Sequence, residues 1–155
     1  MEPVEGDRQE VRHWLFQANP ARYRIHSSLT RESEEWWNLN QHAAEIRVGD
    51  RVAIWVSGAE AGIYALGSVM EGPIVMPDSV RGQGYWEDAT DGLKAKPRVR
   101  VRYDRVLFDR PLLKVFLEAD PDLWNLRVIH APRGTNFSMR GEEWRALQGW
   151  LDGPE

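Results

Sequence analysis

Apolar residues occur along the chain in short blocks separated by turn residues, a pattern typical of a small sheet rather than of long helices. The block at 14–16 ends at Asn19–Pro20 and predicts a first strand. The blocks at 52–57 and 63–69 flank a short turn and predict two neighbouring strands. Because 52–57 is apolar at both alternating positions, its strand should be covered on both faces.

The remaining segments predict helices, further strands and one long irregular stretch. Residues 97–108 alternate arginine with valine or tyrosine, which indicates a strand with one wet, basic face. Residues 70–97 are rich in Gly and Pro and predict an irregular excursion, a kind of segment that is often functional. The other predictions are helices over 27–38, 111–117 and 141–151 and a strand over 126–129.

Together these elements predict one α+β domain, a small mixed and mostly antiparallel β-barrel with short helices at its edges. The segments between strands are too short and irregular for repeated βαβ units, which argues against a Rossmann fold. The expected organisation is a disordered leader over 1–11, a domain over 12–151 and a tail over 152–155.

Composition and charge restrict the function. The chain contains no cysteine, which excludes disulfides and thiolate zinc sites. The acidic N-terminus is unlike a signal peptide, and no apolar run reaches membrane-spanning length, so a cytoplasmic protein without membrane partners is expected. The net charge of −4 argues against a protein that coats nucleic acid by neutralising phosphates. A module that holds one nucleotide with a local basic strip stays open.

Catalytic motifs are absent from the sequence. The four histidines stand apart, without the spacing of a metal-binding helix, and neither a nucleophile elbow nor a P-loop occurs. We therefore expect no cofactor, no metal and no enzymatic activity. The unusual feature is the count of eight tryptophans, which serve equally as core residues or as stacking surfaces.

Several motifs in chain order resemble the EVE domain, a family of the PUA-like superfamily that is related to YTH domains. The motifs are W-L-F-x-x-N-P at 14–20, W-N-x-N at 37–40, G-D-R-V-A-I-W-V-S-G at 49–58, G-I-Y-A-L-G at 62–67 and A-P-R-G-T-N-F at 131–137. The resemblance covers essentially the whole chain. It implies a PUA-like β-barrel with a pocket for one flipped-out base. Related domains bind 5-substituted cytosines in DNA or methylated adenine in RNA.

The resemblance also implies an aromatic cage around the base. The cage of the family takes one tryptophan from the segment after the first strand and another from the loop after the hairpin. The matching positions are Trp37 or its neighbour Trp36, and Trp86 or its neighbour Tyr85. We expect Trp37 and Trp86 to be the walls.

Further candidates for base binding come from the residues themselves. Alternation in the strand 52–57 places Trp55 and Ser57 on the same face, which is expected to line a cavity, although core packing for Trp55 is an equal alternative. Asn38, Asn40 and Ser57 lie beside the aromatic residues in sequence. An amide can pair with a base edge through both a donor and an acceptor, whereas Asn38 can equally end a helix.

The candidate phosphate-binding residues are Arg98, Arg100 and Arg102 on the basic strand face, together with Arg133. A solvated strand face and an ordinary turn are the alternatives. The leading hypothesis is a non-enzymatic reader of a modified base, in DNA rather than RNA. The alternatives are an RNA reader, a hydrolase of PUA-like type and a protein-interaction module. A defence role of the kind associated with bacterial relatives would need a nuclease or helicase partner.

Overall fold

The computed structural model describes residues 10–152, which form one curled sheet with short helices around it. The predicted leader and tail therefore lie mostly outside the described residues. In chain order the elements are β1 (His13–Ala18), α1 (Ile25–Arg31), β2 (Glu34–Asn38), β3 (Arg51–Val56), β4 (Gly62–Met76), α2 (Val80–Gln83), α3 (Ala89–Leu93), β5 (Lys96–Val106), β6 (Leu112–Leu113), α4 (Lys114–Leu117), α5 (Arg127–His130), β7 (Asn136–Met139) and α6 (Gly141–Asp152).

The seven-stranded sheet has the order β2-β5-β4-β3-β1-β7, with β6 paired to β4. All pairs are antiparallel except β1 with β3, which run parallel. The predicted α+β class and mixed sheet are confirmed. The sheet curls without closing, because β2 at one end and β7 at the other are not paired to each other.

Two hydrophobic cores cover the two faces of the central strands, as the apolar block at 52–57 predicts. Val52, Ile54 and Val56 belong to the first core. Ala53 and Trp55 belong to the second core, which α6 closes. Alternation along one strand thus supplies both cores, and side chains of both are almost wholly removed from water.

Two predicted elements are wrong, and the helix predicted over 111–117 forms only as α4 (Lys114–Leu117), because Leu112 and Leu113 pair with β4 as strand β6. The stretch over 34–38 is strand β2 rather than part of a helix, and its burial alternates with a period of two. Aromatic residues favour strands, and two adjacent tryptophans can then point to opposite faces. The stretch over 126–129 becomes the single turn α5, because the carbonyl of Arg127 accepts a hydrogen bond from the N–H of Ala131 (2.8 Å). A short apolar run does not distinguish these two structures.

The predicted irregular excursion is shorter than 70–97. Strand β4 continues to Met76, and β5 already begins at Lys96. Between them lie the single-turn helices α2 and α3, with Tyr85 and Trp86 in the connection. The final helix extends one residue into the predicted tail, to Asp152. Within residues 10–152, no helix has the length and apolarity required to cross a membrane.

Asp50 joins the start of β1 to the turn before β3. This buried carboxylate accepts hydrogen bonds from the indole Nε1 of Trp14 (2.8 Å), the backbone N–H of Arg47 (3.0 Å) and that of Arg12 (3.2 Å). A buried carboxylate is tolerated only when donors replace the water that it has lost. The arrangement fixes the parallel pair β1–β3 at the end where it begins.

We expect Asp50→Asn to lower the free energy of unfolding by about 2 kcal/mol, since one carboxylate oxygen becomes an amide that faces donors. Chemical denaturation monitored by tryptophan fluorescence measures the effect. Asp109→Asn, at an exposed position, is the matched control and should change stability little. Equal stability of the two variants would contradict the role of Asp50.

Candidate nucleic-acid interface

A cavity of about 680 Å³ lies between the free edge of β2 and the C-terminal end of β1. This volume falls in the range of roughly 300–1,000 Å³ that is common for ligand sites. It is lined by Gln17, Ala18, Asn19, Arg22, Tyr23, Glu35, Trp36, Trp37, Asn38, Asn40, Gln41, Ser57, Trp86, Asp91, Lys96, Pro132, Arg133, Gly134 and Thr135. The cavity thus occupies the gap where the curled sheet fails to close.

Most of the candidate residues from the sequence come together at this cavity. Those that line it are Trp36, Trp37, Trp86, Asn38, Asn40, Ser57 and Arg133. The candidates that do not line it are Tyr85, Trp55, Arg98, Arg100 and Arg102.

Trp55 and Tyr85 are held elsewhere. Trp55 is 3% exposed and packs in the second core, so its predicted place on a cavity-lining face is wrong and the core alternative holds. Ser57 reaches the cavity without Trp55 because it follows the end of β3. Tyr85 packs against Tyr23 at a ring-centroid distance of 5.8 Å, and its hydroxyl donates to Glu32 Oε2 (2.7 Å).

The prediction of a wet, basic face on β5 is also wrong for the first arginine of that face, Arg98. Arg98 is 0% exposed because the end of β4 and the segment before β5 cover it. Arg100 is paired with Glu34 (2.8 Å) and Glu71 (3.0 Å), and Arg102 lies 3.2 Å from Asp104. Carboxylates thus neutralise the exposed part of this face.

A buried carboxyl group holds the wall formed by Trp37. The indole Nε1 of Trp37 donates to the hydroxyl of Tyr103 (3.0 Å), which in turn donates to Glu35 Oε2. Tyr23 donates to Glu35 Oε1 (2.5 Å), and the hydroxyl of Ser28 lies 2.9 Å from Glu35 Oε2. Burial raises the pKa of Glu35, although the hydrogen bonds from the hydroxyl groups act in the opposite direction.

The hydrogen-bonded group around Glu35 also contacts Trp86, the second predicted wall. Trp86 meets Tyr23 edge-on at a centroid distance of 4.8 Å, and its Nε1 donates to Asp78 Oδ2 (2.8 Å). Burial likewise raises the pKa of Asp78. Trp37 is 8% exposed and packs on Phe16, whereas Trp86 is half-buried. Both indoles are therefore fixed in orientation by a hydrogen bond at the ring nitrogen.

The backbone of β2 adds polar groups at the cavity. The carbonyl of Ser33 accepts from the N–H of Tyr103 (2.9 Å), and the N–H of Leu39 donates to Pro97 (2.8 Å). Hydrogen bonding to β5 alternates along the strand, so the backbone groups of Trp36 point to the free edge. No partner strand covers this edge within the described part of the chain.

Side chains attach the start of β7 to the end of β2 and to the residues that follow β2. The Asn136 amide accepts from the N–H of Asn40 (2.8 Å) and donates to the carbonyl of Asn38 (3.0 Å). Gln41 Oε1 accepts from the N–H groups of Thr135 (2.8 Å) and Asn136 (2.9 Å), which therefore are not free for a phosphate. Arg133 is exposed and has no ion pair or side-chain hydrogen bond among residues 10–152.

The sequence model of the EVE domain matches residues 12–149. The chain belongs to the EVE domain family. No curated protein matches its sequence significantly.

Solved structures share the fold of this EVE domain. A hypothetical protein from Leishmania major has a TM-score of 0.68 and 17% identity, over 93% of this chain and 96% of that chain. Rpa0253 from Rhodopseudomonas palustris has a TM-score of 0.64 and 20% identity, over 93% and 97%. Human THYN1, solved in complex with 5-methylcytosine containing DNA, has a TM-score of 0.65 and 14% identity, over 93% and 99%. These likenesses confirm the PUA-like fold.

Sequence reasoning missed the polar residues that build the EVE-domain cavity. Glu35 lies within the helix predicted over 27–38, but as a strand residue it shares the inner face with Trp37. Strand alternation in E-E-W-W was the signal that would have found it. Tyr103 and Asn136 lie far from β2 in sequence, and no local pattern predicts these contacts.

Glu35→Gln should make the stability of this EVE domain less dependent on pH. The native pKa of Glu35 lies above the ordinary 4.5, so its stabilising contribution is complete below that value and is lost as pH rises through the native pKa. Glutamine stays neutral throughout. The melting temperature of Glu35→Gln relative to wild type should therefore rise as pH increases above the ordinary carboxyl pKa of 4.5.

Thermal unfolding at several pH values measures this difference. Glu142→Gln, at an exposed position on α6, is the control for the loss of one carboxyl group. A difference between Glu35→Gln and wild type that stays constant with pH would contradict the assignment.

Proposed function

We propose that this EVE domain binds DNA that contains a modified base, a 5-substituted cytosine, and holds that base flipped out in the cavity. The observation that carries the proposal is the presence of indole rings at the free edge of β2, beside hydrogen-bonding groups and an exposed arginine. Aromatic rings stack on a base face, and polar groups at a strand edge can pair with its rim.

The energies are compatible with base extrusion. Flipping a base out of a duplex costs a few kcal/mol, whereas stacking on an aromatic side chain contributes about 1–3 kcal/mol. Trp37 and Trp86, assisted by Trp36, would therefore offset the cost of extrusion. Because hydrogen bonds fix the indoles of Trp37 and Trp86 before binding, little side-chain entropy is lost when a base enters.

Discrimination between modified and plain bases needs more than the methyl group itself. One buried methyl contributes about 0.8 kcal/mol, which corresponds to only about a fourfold preference. Larger selectivity comes from polar groups that lose their partners when the wrong base enters. Asn38, Ser57 and the free backbone groups of β2 are the residues that we propose for this role.

The choice of DNA rests on the structural neighbour. Human THYN1 was solved with 5-methylcytosine containing DNA, and it shares the fold of this chain. A modified base in RNA is the alternative, and binding of methylated-adenine RNA in place of the DNA would favour it. We further propose that the domain binds without catalysis. A nuclease or helicase partner and a cytoplasmic location stay predictions.

The first test concerns Trp37 and Trp86, the proposed walls of the base-binding cavity. Trp37→Ala and Trp86→Ala should each weaken binding to a duplex with one 5-methylcytosine by about 5- to 150-fold, the loss of one stacking contact. Fluorescence anisotropy with a labelled duplex measures the affinity, and circular dichroism checks that each variant is folded. Trp150→Ala is the matched control, because Trp150 is 41% exposed on α6 and does not line the cavity.

Other outcomes would replace the proposal. Unchanged affinity in both cavity variants would remove the cage assignment. Turnover of modified nucleosides by the wild-type protein would favour a hydrolase. Indifference to every nucleic acid, together with a stable protein complex, would favour an interaction module.

A second test concerns the phosphate contact. Arg133→Ala should weaken binding to the modified and the plain duplex by the same factor, since a phosphate contact carries no base information. It should also reduce the slope of log K against log salt concentration by about 1. Arg110→Ala, exposed and outside the cavity, is the control. A loss confined to the modified duplex would show that Arg133 reads the base instead.

A further inference from the structure

Arg98 is a buried arginine whose guanidinium is held by the protein on several sides. Its Nε donates to the carbonyl of Met76 (3.0 Å), and its Nη2 donates to the carbonyl of Lys94 (3.1 Å). Its Nη1 donates to the side-chain oxygen Oδ1 of Asn38, a residue that lines the cavity. The guanidinium thus links the end of β4 and the segment before β5 to β2.

The chemistry of arginine decides which end of the Asn38 amide faces it. A guanidinium carries five N–H donors and no acceptor, so only the amide oxygen can pair with it. The opposite orientation would bring the NH₂ group of Asn38 against the donors of Arg98. The oxygen of Asn38 is therefore committed to Arg98, and its Nδ2 has no partner among residues 10–152.

Asn40 gives a useful contrast. Its Nδ2 donates to the hydroxyl of Thr135 (2.7 Å), and its Oδ1 accepts from the ammonium of Lys96 (3.2 Å). Both ends of that amide are therefore occupied within the protein. Of Asn38 and Asn40, only Asn38 has a side-chain Nδ2 with no partner at all among residues 10–152, because one N–H of Asn40 is used by Thr135.

We propose that Asn38 Nδ2 donates a hydrogen bond to an acceptor on the edge of the bound base, and that Arg98 is the positioning residue that turns this donor toward the cavity. The inference rests on the proposed function and adds a chemical requirement to it. The ligand must present a ring nitrogen or a carbonyl oxygen at this point, as cytosine does with N3 and O2. A base with an N–H at this point would place its own donor opposite the donor of Asn38. Neither donor would have an acceptor, so such a base is rejected.

Two substitutions of Asn38 distinguish this orientation from the reverse. Asn38→Asp preserves the volume and the acceptor for Arg98 but replaces the free donor by an acceptor. Asn38→Ala removes both groups. If the Nδ2 of Asn38 faces the base, affinity for a duplex with one 5-methylcytosine should fall about tenfold in Asn38→Ala. It should fall further in Asn38→Asp, because the new carboxylate oxygen then faces the acceptor of the base. If the oxygen faced the base, Asn38→Asp would bind better than Asn38→Ala.

Added negative charge near DNA is a separate effect, and Asn40→Asp measures it. This control introduces the same charge at the same cavity, at an amide whose nitrogen already donates to Thr135 and whose oxygen accepts from Lys96. A loss in Asn40→Asp as large as that in Asn38→Asp would overturn the proposal, since it would indicate general repulsion. A markedly smaller loss supports a local reversal from donor to acceptor.

The role of Arg98 is tested by rescue. Arg98→Lys retains a cationic donor, and Arg98→Met does not, so affinity should be closer to wild type in the lysine variant. Wild-type affinity in a folded Arg98→Met would overturn the positioning role. The side-chain amide signal of Asn38 in nitrogen–proton NMR spectra adds a readout in the intact protein, since it should shift when the duplex is added.

Binding by the wild-type protein distinguishes a wrong assignment of Asn38 from a wrong proposed function. A wild-type protein that does not bind the 5-methylcytosine duplex overturns both. Binding by wild type that persists in Asn38→Asp leaves the proposed function in place and overturns only the assignment of Asn38.

Discussion

The unpaired edge of β2 is the constraint from which the rest of the site follows. A strand edge presents backbone N–H and C=O groups that need partners, and a closed barrel would satisfy them with another strand. Here the gap is closed at one end by the Asn136 amide, which bonds Asn38 and Asn40. Beyond that point the edge stays open, and the cavity occupies it. Incomplete closure of the sheet thus provides both space and polar groups.

The walls of the cavity are parts of the hydrophobic core and not additions to it. Trp37 packs on Phe16 and is linked through Tyr103 to Glu35, while Tyr23 connects the same carboxyl to Trp86. A buried carboxyl is costly in free energy unless several donors surround it. The cluster that offsets this cost also fixes the indoles. Stability and the shape of the cavity therefore depend on the same hydrogen bonds.

Periodicity predicted the sheet, both cores and the final helix, because these depend on local alternation of apolar residues. The family resemblance, and not periodicity, indicated Trp37 and Trp86, which both line the cavity. Periodicity failed where tertiary contacts override local preference. Arg98 sits in an alternating pattern that predicts exposure, yet the segment before β5 covers it. No spacing within β5 encodes that cover.

The burial of Arg98 is more informative about the site than its predicted exposure would have been. An exposed arginine contributes a phosphate contact that is independent of sequence. A buried one that donates to Asn38 fixes the direction of a neighbouring amide, which carries chemical information about the ligand. In the proposed function, charge for the nucleic-acid backbone is then needed only at the rim, where Arg133 lies. The proposal is consistent with a net acidic chain, because in it selectivity comes from a few fixed donors and not from bulk charge.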